Sequence, residues 1–189
     1  LQNNAYSVNI KERLDFSCAV FSGDGALDAN APHMPVHLGS MDRAVETIIR
    51  QNKTIRPGHV FAINAPYNGG THLPDITVCT PVFDEASRDV LFWVASRGHH
   101  ADVGGLTPGS MPIAREIYQE GLIIPPVKLI AGGELQRGVM DLILANVRTP
   151  DERSGDLWAQ IAANGRGAIR LQELVARYGE AEVEHYMRE

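Results

Sequence analysis

Two apolar segments separated by a short polar connection constrain the fold of this chain more than any other feature. The segments run from Ile76 to Phe83 and from Val90 to Ala95, and both are rich in β-branched and aromatic residues. The residues between them, Asp84 to Asp89, are mostly polar. We therefore expect an antiparallel hairpin within a sheet, in which residues just before the first strand lie beside residues just after the second.

Further strands are predicted on the amino-terminal side of this hairpin. Residues 15–21 alternate between polar and apolar, and Asp24-Gly25 is a turn pair that favours a second hairpin with residues 26–29. The run from Val60 to Ile63 predicts another strand. The segments 64–74 and 97–112 are rich in Gly, Pro and Asn, so they are predicted to be loops.

Helices are indicated by apolar residues at a spacing of three and four. Ser40 is placed to cap a helix that starts at Met41 and stops before Pro57-Gly58. After Pro126 the chain is predicted to be helical. We expect a helix around residues 135–147, a second that begins at Thr149-Pro150 and is interrupted at Gly165 and Gly167, and a third that follows Gly179.

These elements predict an α+β fold. An antiparallel or mixed β-sheet region with a flanking helix is followed by a helical carboxyl-terminal segment, with the division between residues 1–126 and residues 127–189. The chain starts without Met and ends inside a helix-forming stretch. We expect it to be part of a longer protein, in which the helical segment continues into a further carboxyl-terminal part.

Composition excludes several classes of function. The net charge of −6 arises from 23 acidic and 17 basic residues that are interspersed, without the basic stripe that a nucleic-acid partner requires. No apolar stretch reaches the roughly 20 residues that span a bilayer, and no secretory leader is evident, so we expect a cytoplasmic protein without a membrane partner. Cys18 and Cys79 lie in apolar segments and are predicted to be reduced core residues.

The central hairpin brings two pairs of polar residues together. His72 and Asp75 precede its first strand, and His99 and His100 follow its second. Imidazole nitrogens and a carboxylate oxygen suit a divalent metal of borderline character such as Zn, Mn or Fe, with positions left for water or substrate. We expect a metal site here, with His72, Asp75, His99 and His100 as the catalytic candidates. Each histidine alone is more often a loop residue that bonds a backbone carbonyl.

Two further motifs are candidates for a substrate pocket. His33 and His37 lie four residues apart, but Pro32 and Pro35 exclude the regular helix that a zinc-binding pair would need. They are assigned to the pocket or to the support of metal ligands, and a purely structural role stays equally open.

The second motif is a glycine-rich loop. Asp102, Gly104 and Gly105 begin it, and the loop lacks the Lys-Ser/Thr ending of a nucleotide-binding P-loop, so we expect a tight pocket wall. Ser17, Ser40 and Ser110 lack the context of a serine hydrolase nucleophile.

Four blocks in order resemble the hydantoinase B family, which includes the B half of 5-oxoprolinase and one acetone carboxylase subunit. The blocks are E-R-L-D-F-S-C at 12–18, P-H-M-P-V-H-L-G-S-M at 32–41, N-G-G-T-H-L-P-D at 68–75 and R-G-H-H-A-D-V-G-G at 97–105, the last continuing to P-G-S-M-P at 108–112. The resemblance extends through residues 124–129 and 148–157. A complete family member is far longer, with a later glycine-rich half.

The resemblance implies a metal held by a His-x-x-Asp pair and a later histidine, with an upstream aspartate nearby. On this sequence the ligands would be His72, Asp75 and His100, with Asp15 as the fourth and His99 as the alternate imidazole. We favour His100 because side chains alternate at the end of a strand and only one of two successive imidazoles faces the site.

The resemblance also implies a function that is shared between subunits. A companion hydantoinase A-type subunit would use ATP to activate a small cyclic amide, and the B-type subunit would complete hydrolysis at the metal in a hetero-oligomer. Alternatives are carboxylation of a ketone as in acetone carboxylase, a non-catalytic half that supports the ATP-using partner, and a metal-dependent amidohydrolase that needs no ATP.

Overall fold

Seven strands form one antiparallel sheet in the computed structural model, which describes residues 1–31, 34–86 and 89–187. The strands are β1 (Phe16–Ser22), β2 (Leu27–Asn30), β3 (Val60–Ile63), β4 (Asp75–Phe83), β5 (Val90–His99), β6 (Val127–Ala131) and β7 (Glu134–Leu135). Their order across the sheet is β2-β1-β5-β4-β3-β6-β7. All six neighbouring pairs are antiparallel.

Six helices accompany the sheet in the described residues. They are α1 (Val8–Lys11), α2 (Pro35–Leu38), α3 (Met41–Gln51), α4 (Arg137–Ala145), α5 (Pro150–Tyr178) and α6 (Glu180–Met187). The predicted α+β class is therefore confirmed, as are both hairpins and the helix that begins at Met41. Ser40 begins α3, but its side chain makes no capping bond to the helix backbone.

The two faces of the sheet are covered by different helices. One face packs Phe21, Phe61 and Trp93 against the apolar side of α3, and we call it the α3 face. The other packs against α4 and α5 through residues such as Ile76, Val78 and Val94, and we call it the α5 face. Because side chains alternate along each strand, successive residues of β4 and β5 belong to opposite faces.

The segment after Pro126 begins with strands, so the expectation of helices alone is wrong for residues 127–135. The strand β6 pairs with β3, and β7 pairs with β6. On one side β3 pairs with β4, the next strand in the sequence. On its other side, the backbone donors and acceptors of β3 are satisfied by β6. The division of the chain at residue 126 stays a prediction.

The long helix α5 also corrects the sequence analysis. It begins at Pro150 as expected, but it continues through Gly165 and Gly167 without interruption to Tyr178. A Cβ added at Gly167 would lie 2.9 Å from Val94 Cγ1. Gly167 therefore allows a close approach of helix to sheet, and the packing outweighs the low helix propensity of glycine.

No helix in the described ranges combines the length and apolar character required to cross a bilayer. Both cysteines are free: Cys79 is buried, and Cys18 is partly buried. Burial raises the pKa of the Cys79 thiol to about 12, so Cys79 behaves as a core residue, as expected.

Candidate metal centre

The register of the central hairpin sets the position of the candidate site. Asp75 is the first residue of β4, and it lies directly opposite His99, the last residue of β5. The carboxyl-terminal end of β5 is tied to both neighbouring segments, since the His99 amide donates to the Asp15 carbonyl at 3.0 Å and the His100 amide donates to the Pro74 carbonyl at 2.8 Å. The site therefore lies at one end of the central strands β4 and β5, where three segments meet.

Asp75 is the centre of a cluster of four polar side chains. Its Oδ1 lies 2.9 Å from His99 Nδ1, and its Oδ2 lies 2.8 Å from His72 Nδ1 and 3.3 Å from His37 Nε2. The Thr71 hydroxyl donates to the same Oδ2. Asp75 is fully buried, whereas the His72 side chain is 33% exposed. The cluster thus has a buried base and one side open to solvent.

His37 extends this network away from the open side. Its Nδ1 lies 3.0 Å from the Ser17 hydroxyl, and both residues are buried. The order Ser17, His37, Asp75 has the connectivity of a hydrolase triad, but Ser17 is fully buried within β1. No substrate reaches its hydroxyl in this structure, so the chain of bonds serves to orient His37 and Asp75.

The protonation of the cluster follows from these contacts. Burial by itself raises the pKa of the Asp75 carboxyl, but hydrogen bonds from His37, His72, His99 and Thr71 outweigh it and hold that pKa far below its usual range. The hydrogen bond to Asp75 raises the pKa of His72, against the opposing effect of burial. Asp75 is therefore ionised, and the site concentrates negative charge at a point that favours a cation.

The donor set fits a divalent metal. One ligand atom each from His72, Asp75 and His99 can be chosen so that all lie within 4.8 Å of one another. Ligands at right angles around an ion, with bonds of about 2.1 Å, lie about 3.0 Å apart. The separations of 2.8 Å from His72 to Asp75 Oδ2 and 2.9 Å from His99 to Asp75 Oδ1 are close to this spacing, with the two imidazoles beside different oxygens of the carboxylate. Two imidazoles and one carboxylate also form the donor set used for iron with open coordination positions.

His100 does not join the cluster, so our preference for His100 over His99 is corrected. Its side chain lies on the α5 face, where its Nε2 is 2.9 Å from Gln160 Oε1. Burial lowers the pKa of His100 to about 4. Side chains do alternate along β5, but Arg97 and His99 share the α3 face with Asp75, so His99 and not His100 faces the cluster.

Asp15 lies at the margin of the cluster. Its Oδ2 is 4.0 Å from His99 Nδ1, and its side chain is 28% exposed. This distance is too long for a direct hydrogen bond. Asp15 is thus near the predicted position but does not belong to the group of three potential ligands that the structure brings together.

The predicted pocket residues are distributed differently. His37 joins the cluster as described, and His33 lies outside the described residues. Asp102 instead accepts bonds from the Gly104 amide and from both the amide and the guanidinium of Arg148. Gly104 and Gly105 approach the backbone of Asn146 and Gln119 so closely that a Cβ would collide there. This loop is tightly packed, and its observed bonds join the carboxyl-terminal half of the chain.

Two residues of the site were missed by the sequence analysis. Arg97 is fully buried on β5 and contacts the segments that carry the cluster. Burial lowers the pKa of Arg97 to about 10, and the charge of Asp75 opposes that effect. Gln160 lies on α5 behind the hairpin. Arg97 falls in the segment 97–112 that the sequence predicts to be a loop, but β5 extends through Arg97 to His99. Gln160 has no local signal.

This chain belongs to the hydantoinase B/oxoprolinase family, whose pattern it matches over residues 1–189. It is 46% identical over 202 aligned positions to 5-oxoprolinase 1 of Arabidopsis thaliana, which covers the whole chain and 16% of that relative. Its identity to the caprolactamase subunit beta of Pseudomonas jessenii is 38% over 167 positions, covering 87% of the chain and 28% of that subunit.

Solved structures agree with the fold. The crystal structure of the ATP-dependent caprolactamase from Pseudomonas jessenii superposes with a TM-score of 0.86 at 36% identity, over 92% of this chain and 30% of that chain. A nucleotide-free acetone carboxylase gives a TM-score of 0.87 at 24% identity, over 98% of this chain and 24% of that one, which shows the shared fold alone. The chain thus spans less than a third of each of these proteins.

Proposed function

We propose that this chain is the metal-site part of a B-type subunit in an ATP-dependent enzyme that hydrolyses the C–N bond of a small cyclic amide. The observation that carries the proposal is the convergence of His72, Asp75 and His99 on one point with a buried, ionised carboxylate and one open side. The names of the relatives support the substrate class, since 5-oxoprolinase and caprolactamase both describe enzymes of lactams.

The residues of this chain divide the work of such a site. His72, Asp75 and His99 would hold Zn, Mn or Fe, which would polarise the amide carbonyl and lower the pKa of a bound water. His37 and Thr71 hold the Asp75 carboxylate in place from the buried side. The exposure of His72 leaves an approach for a small substrate.

ATP would be used by a partner. The sequence contains no P-loop, and its glycine-rich loop is bonded to Arg148 and packed on neighbouring backbone. A companion hydantoinase A-type subunit or domain would activate the amide, as the description of the caprolactamase as ATP-dependent and the name of its beta subunit suggest for that enzyme. The protein would then function as a hetero-oligomer.

The test is an assay of the complete protein with its companion subunit. Candidate substrates are 5-oxoproline, hydantoin and a larger lactam, each with and without ATP, and a ketone with ATP and bicarbonate. We expect ATP-dependent ring opening that is lost in His99→Ala and kept in His100→Ala. Residues 1–189 alone should not open lactams.

Other outcomes identify the alternatives. Ring opening without ATP or partner would indicate a stand-alone amidohydrolase. Carboxylation of the ketone without ring opening would indicate an acetone carboxylase-like activity. Full activity in both His99→Ala and Asp75→Asn would leave this part as a structural support of the ATP-using partner.

A further inference from the structure

We propose that Arg97 is a positioning residue for the metal site, which holds the segments that carry the cluster in one arrangement without contacting the metal itself. The inference rests on the proposed function for its metal, and on the contacts of Arg97 for its geometry. Arg97 lies on β5 two residues before His99, on the same face, and is fully buried.

Every nitrogen of the Arg97 guanidinium donates to a different part of the site. Its Nε donates to the Thr77 hydroxyl at 2.7 Å, and its Nη2 donates to the Gly69 carbonyl at 2.7 Å. Its Nη1 donates to the Ser40 hydroxyl at 2.5 Å and to the His37 carbonyl at 3.4 Å. Four acceptors from three segments therefore surround one side chain.

Each of these acceptors is close in sequence to a member of the cluster. Thr77 is two residues from Asp75 on β4, and Gly69 is three residues from His72 in its loop. The remaining contacts fix α2, which contains His37, and Ser40, which immediately precedes α3. A shift of any one segment would break a bond to Arg97, so the guanidinium couples the positions of His37, His72, Asp75 and His99.

The chemistry of arginine suits this role. A guanidinium offers five donors in a fixed plane, whereas a lysine ammonium is a point charge with three donors. None of the ion pairs among the described residues joins Arg97 directly to a carboxylate. Burial of a cation that has only hydroxyl and carbonyl groups as hydrogen-bond partners costs free energy of desolvation. The need for four fixed contacts at the site would account for a buried arginine at this position.

The experiment compares Arg97→Lys and Arg97→Gln with Arg153→Lys in the complete protein. Arg153 is a matched control because it is also buried but lies on α5, where its Nη2 bonds Glu152 and Asp156. Metal affinity is measured by titration with Mn²⁺ and with Co²⁺, whose absorption spectrum reports ligand geometry, and unfolding by urea reports stability. We expect both Arg97 variants to bind metal roughly 10- to 100-fold more weakly, the range for lost outer partners, with an altered Co²⁺ spectrum.

The Arg153→Lys control separates the positioning role from a general loss of stability. It should lower the free energy of unfolding and keep the wild-type metal affinity and Co²⁺ spectrum. Wild-type affinity and spectrum in folded Arg97→Lys and Arg97→Gln would overturn the proposal. If both fail to fold, Ser40→Ala decides: this residue makes no capping bond to α3, so its removal should weaken metal binding severalfold at near-normal stability, and unchanged binding would refute the role.

Failure of the proposed function gives a different signature. A wild-type protein that binds neither metal would contradict the metal site, and the positioning role would then be decided by ¹⁵N–¹H correlations of the histidine rings in metal-free protein. The ring resonances of His37 and His72 should change in Arg97→Lys and remain unchanged in Arg153→Lys. Unchanged ring resonances in Arg97→Lys would refute the positioning role, whether or not the wild-type protein binds a metal.

Discussion

The two faces of strand β5 both carry buried polar networks, but only one of them opens to solvent. On the α3 face, Arg97 and His99 belong to the network around Asp75, which ends at the partly exposed His72. On the α5 face, His100 is bonded to Gln160, whose amide also donates to the Ile76 and Ser96 carbonyls. Adjacent residues at the end of one strand thus enter polar networks that differ in their access to solvent.

The difference shows what separates a site from a polar core. The network of Gln160 lies inside the protein and contributes stability, because loss of one of its bonds would leave a buried donor or acceptor without a partner. The network of Asp75 gathers three imidazoles on one carboxylate at a solvent edge. Such an arrangement favours a cation, and it leaves room for further ligands.

The largest contrast between the faces is expected from their buried aspartates. Asp75→Asn removes the central anion of the cluster, so metal binding should fall by more than the roughly 100-fold upper limit for outer partners. Asp156→Asn weakens the contact with Arg153 and the bonds from the Tyr6 and Ser7 amides. It should cost about 3–5 kcal/mol of stability and leave the metal in place. Metal content per chain measures the first effect, and urea unfolding measures the second. A normal metal content in Asp75→Asn would contradict the predicted difference between the two faces.

The two adjacent histidines give the next contrast. His99→Ala should weaken metal binding, because a potential ligand is lost, and it should also lower stability, because the bond to the buried Asp75 is lost. His100→Ala should keep the metal and lower the free energy of unfolding by about 1–3 kcal/mol, because Gln160 Oε1 loses its buried donor. Loss of metal binding in His100→Ala, with normal metal binding in His99→Ala, would identify His100 as the ligand instead. Metal titration and urea unfolding measure these effects.

A smaller effect is expected from the amides of α5. Gln160→Leu removes one bond to His100 and two to strand carbonyls, whereas Asn164→Leu removes a single bond to the Val78 carbonyl. We expect a loss of about 1–3 kcal/mol for Gln160→Leu and less for Asn164→Leu, with metal content unchanged in both. Equal losses, or loss of metal in Gln160→Leu, would show that the faces are not independent.

The smallest effect concerns Asp15. Its carboxylate lies beyond hydrogen-bond distance from His99, so Asp15→Asn should weaken metal retention by about 10-fold, the low end of the range for outer partners. The exposed Asp141→Asn on α4 is the matched control and should have no effect. Metal affinity and thermal unfolding distinguish a role in metal retention from a purely structural role. Normal metal binding with lowered stability in Asp15→Asn would show that Asp15 is purely structural.

The fold was largely predictable because its strands and hairpins have local signals. The hairpin of β4 and β5 brought His72 and Asp75 beside two histidines, and the structure confirms that proximity for His99. The phase of β5 was not readable, since its residues from Leu91 to Ala95 are apolar on both faces. A strand buried on both sides carries no alternation that would tell which histidine faces the site.

The remaining misses arise from contacts between distant parts of the chain. The strand β6 exists because it pairs with β3, and α5 continues through Gly167, where the helix packs on Val94 of the sheet. Gln160 reaches His100 across sixty positions of sequence. Such contacts depend on the assembled fold, so local patterns do not reveal them.

The attachment of α5 to the sheet has a consequence for how this protein changes over evolutionary time. Gln160 and Asn164 bind the carbonyl oxygens of Ile76, Ser96 and Val78, and every amino acid supplies the same carbonyl. A substitution at Ile76, Val78 or Ser96 can therefore leave these three bonds in place, whereas the two amides on α5 have no equivalent substitute. For these three bonds alone, a change of side chain should be tolerated on the strand and resisted on the helix.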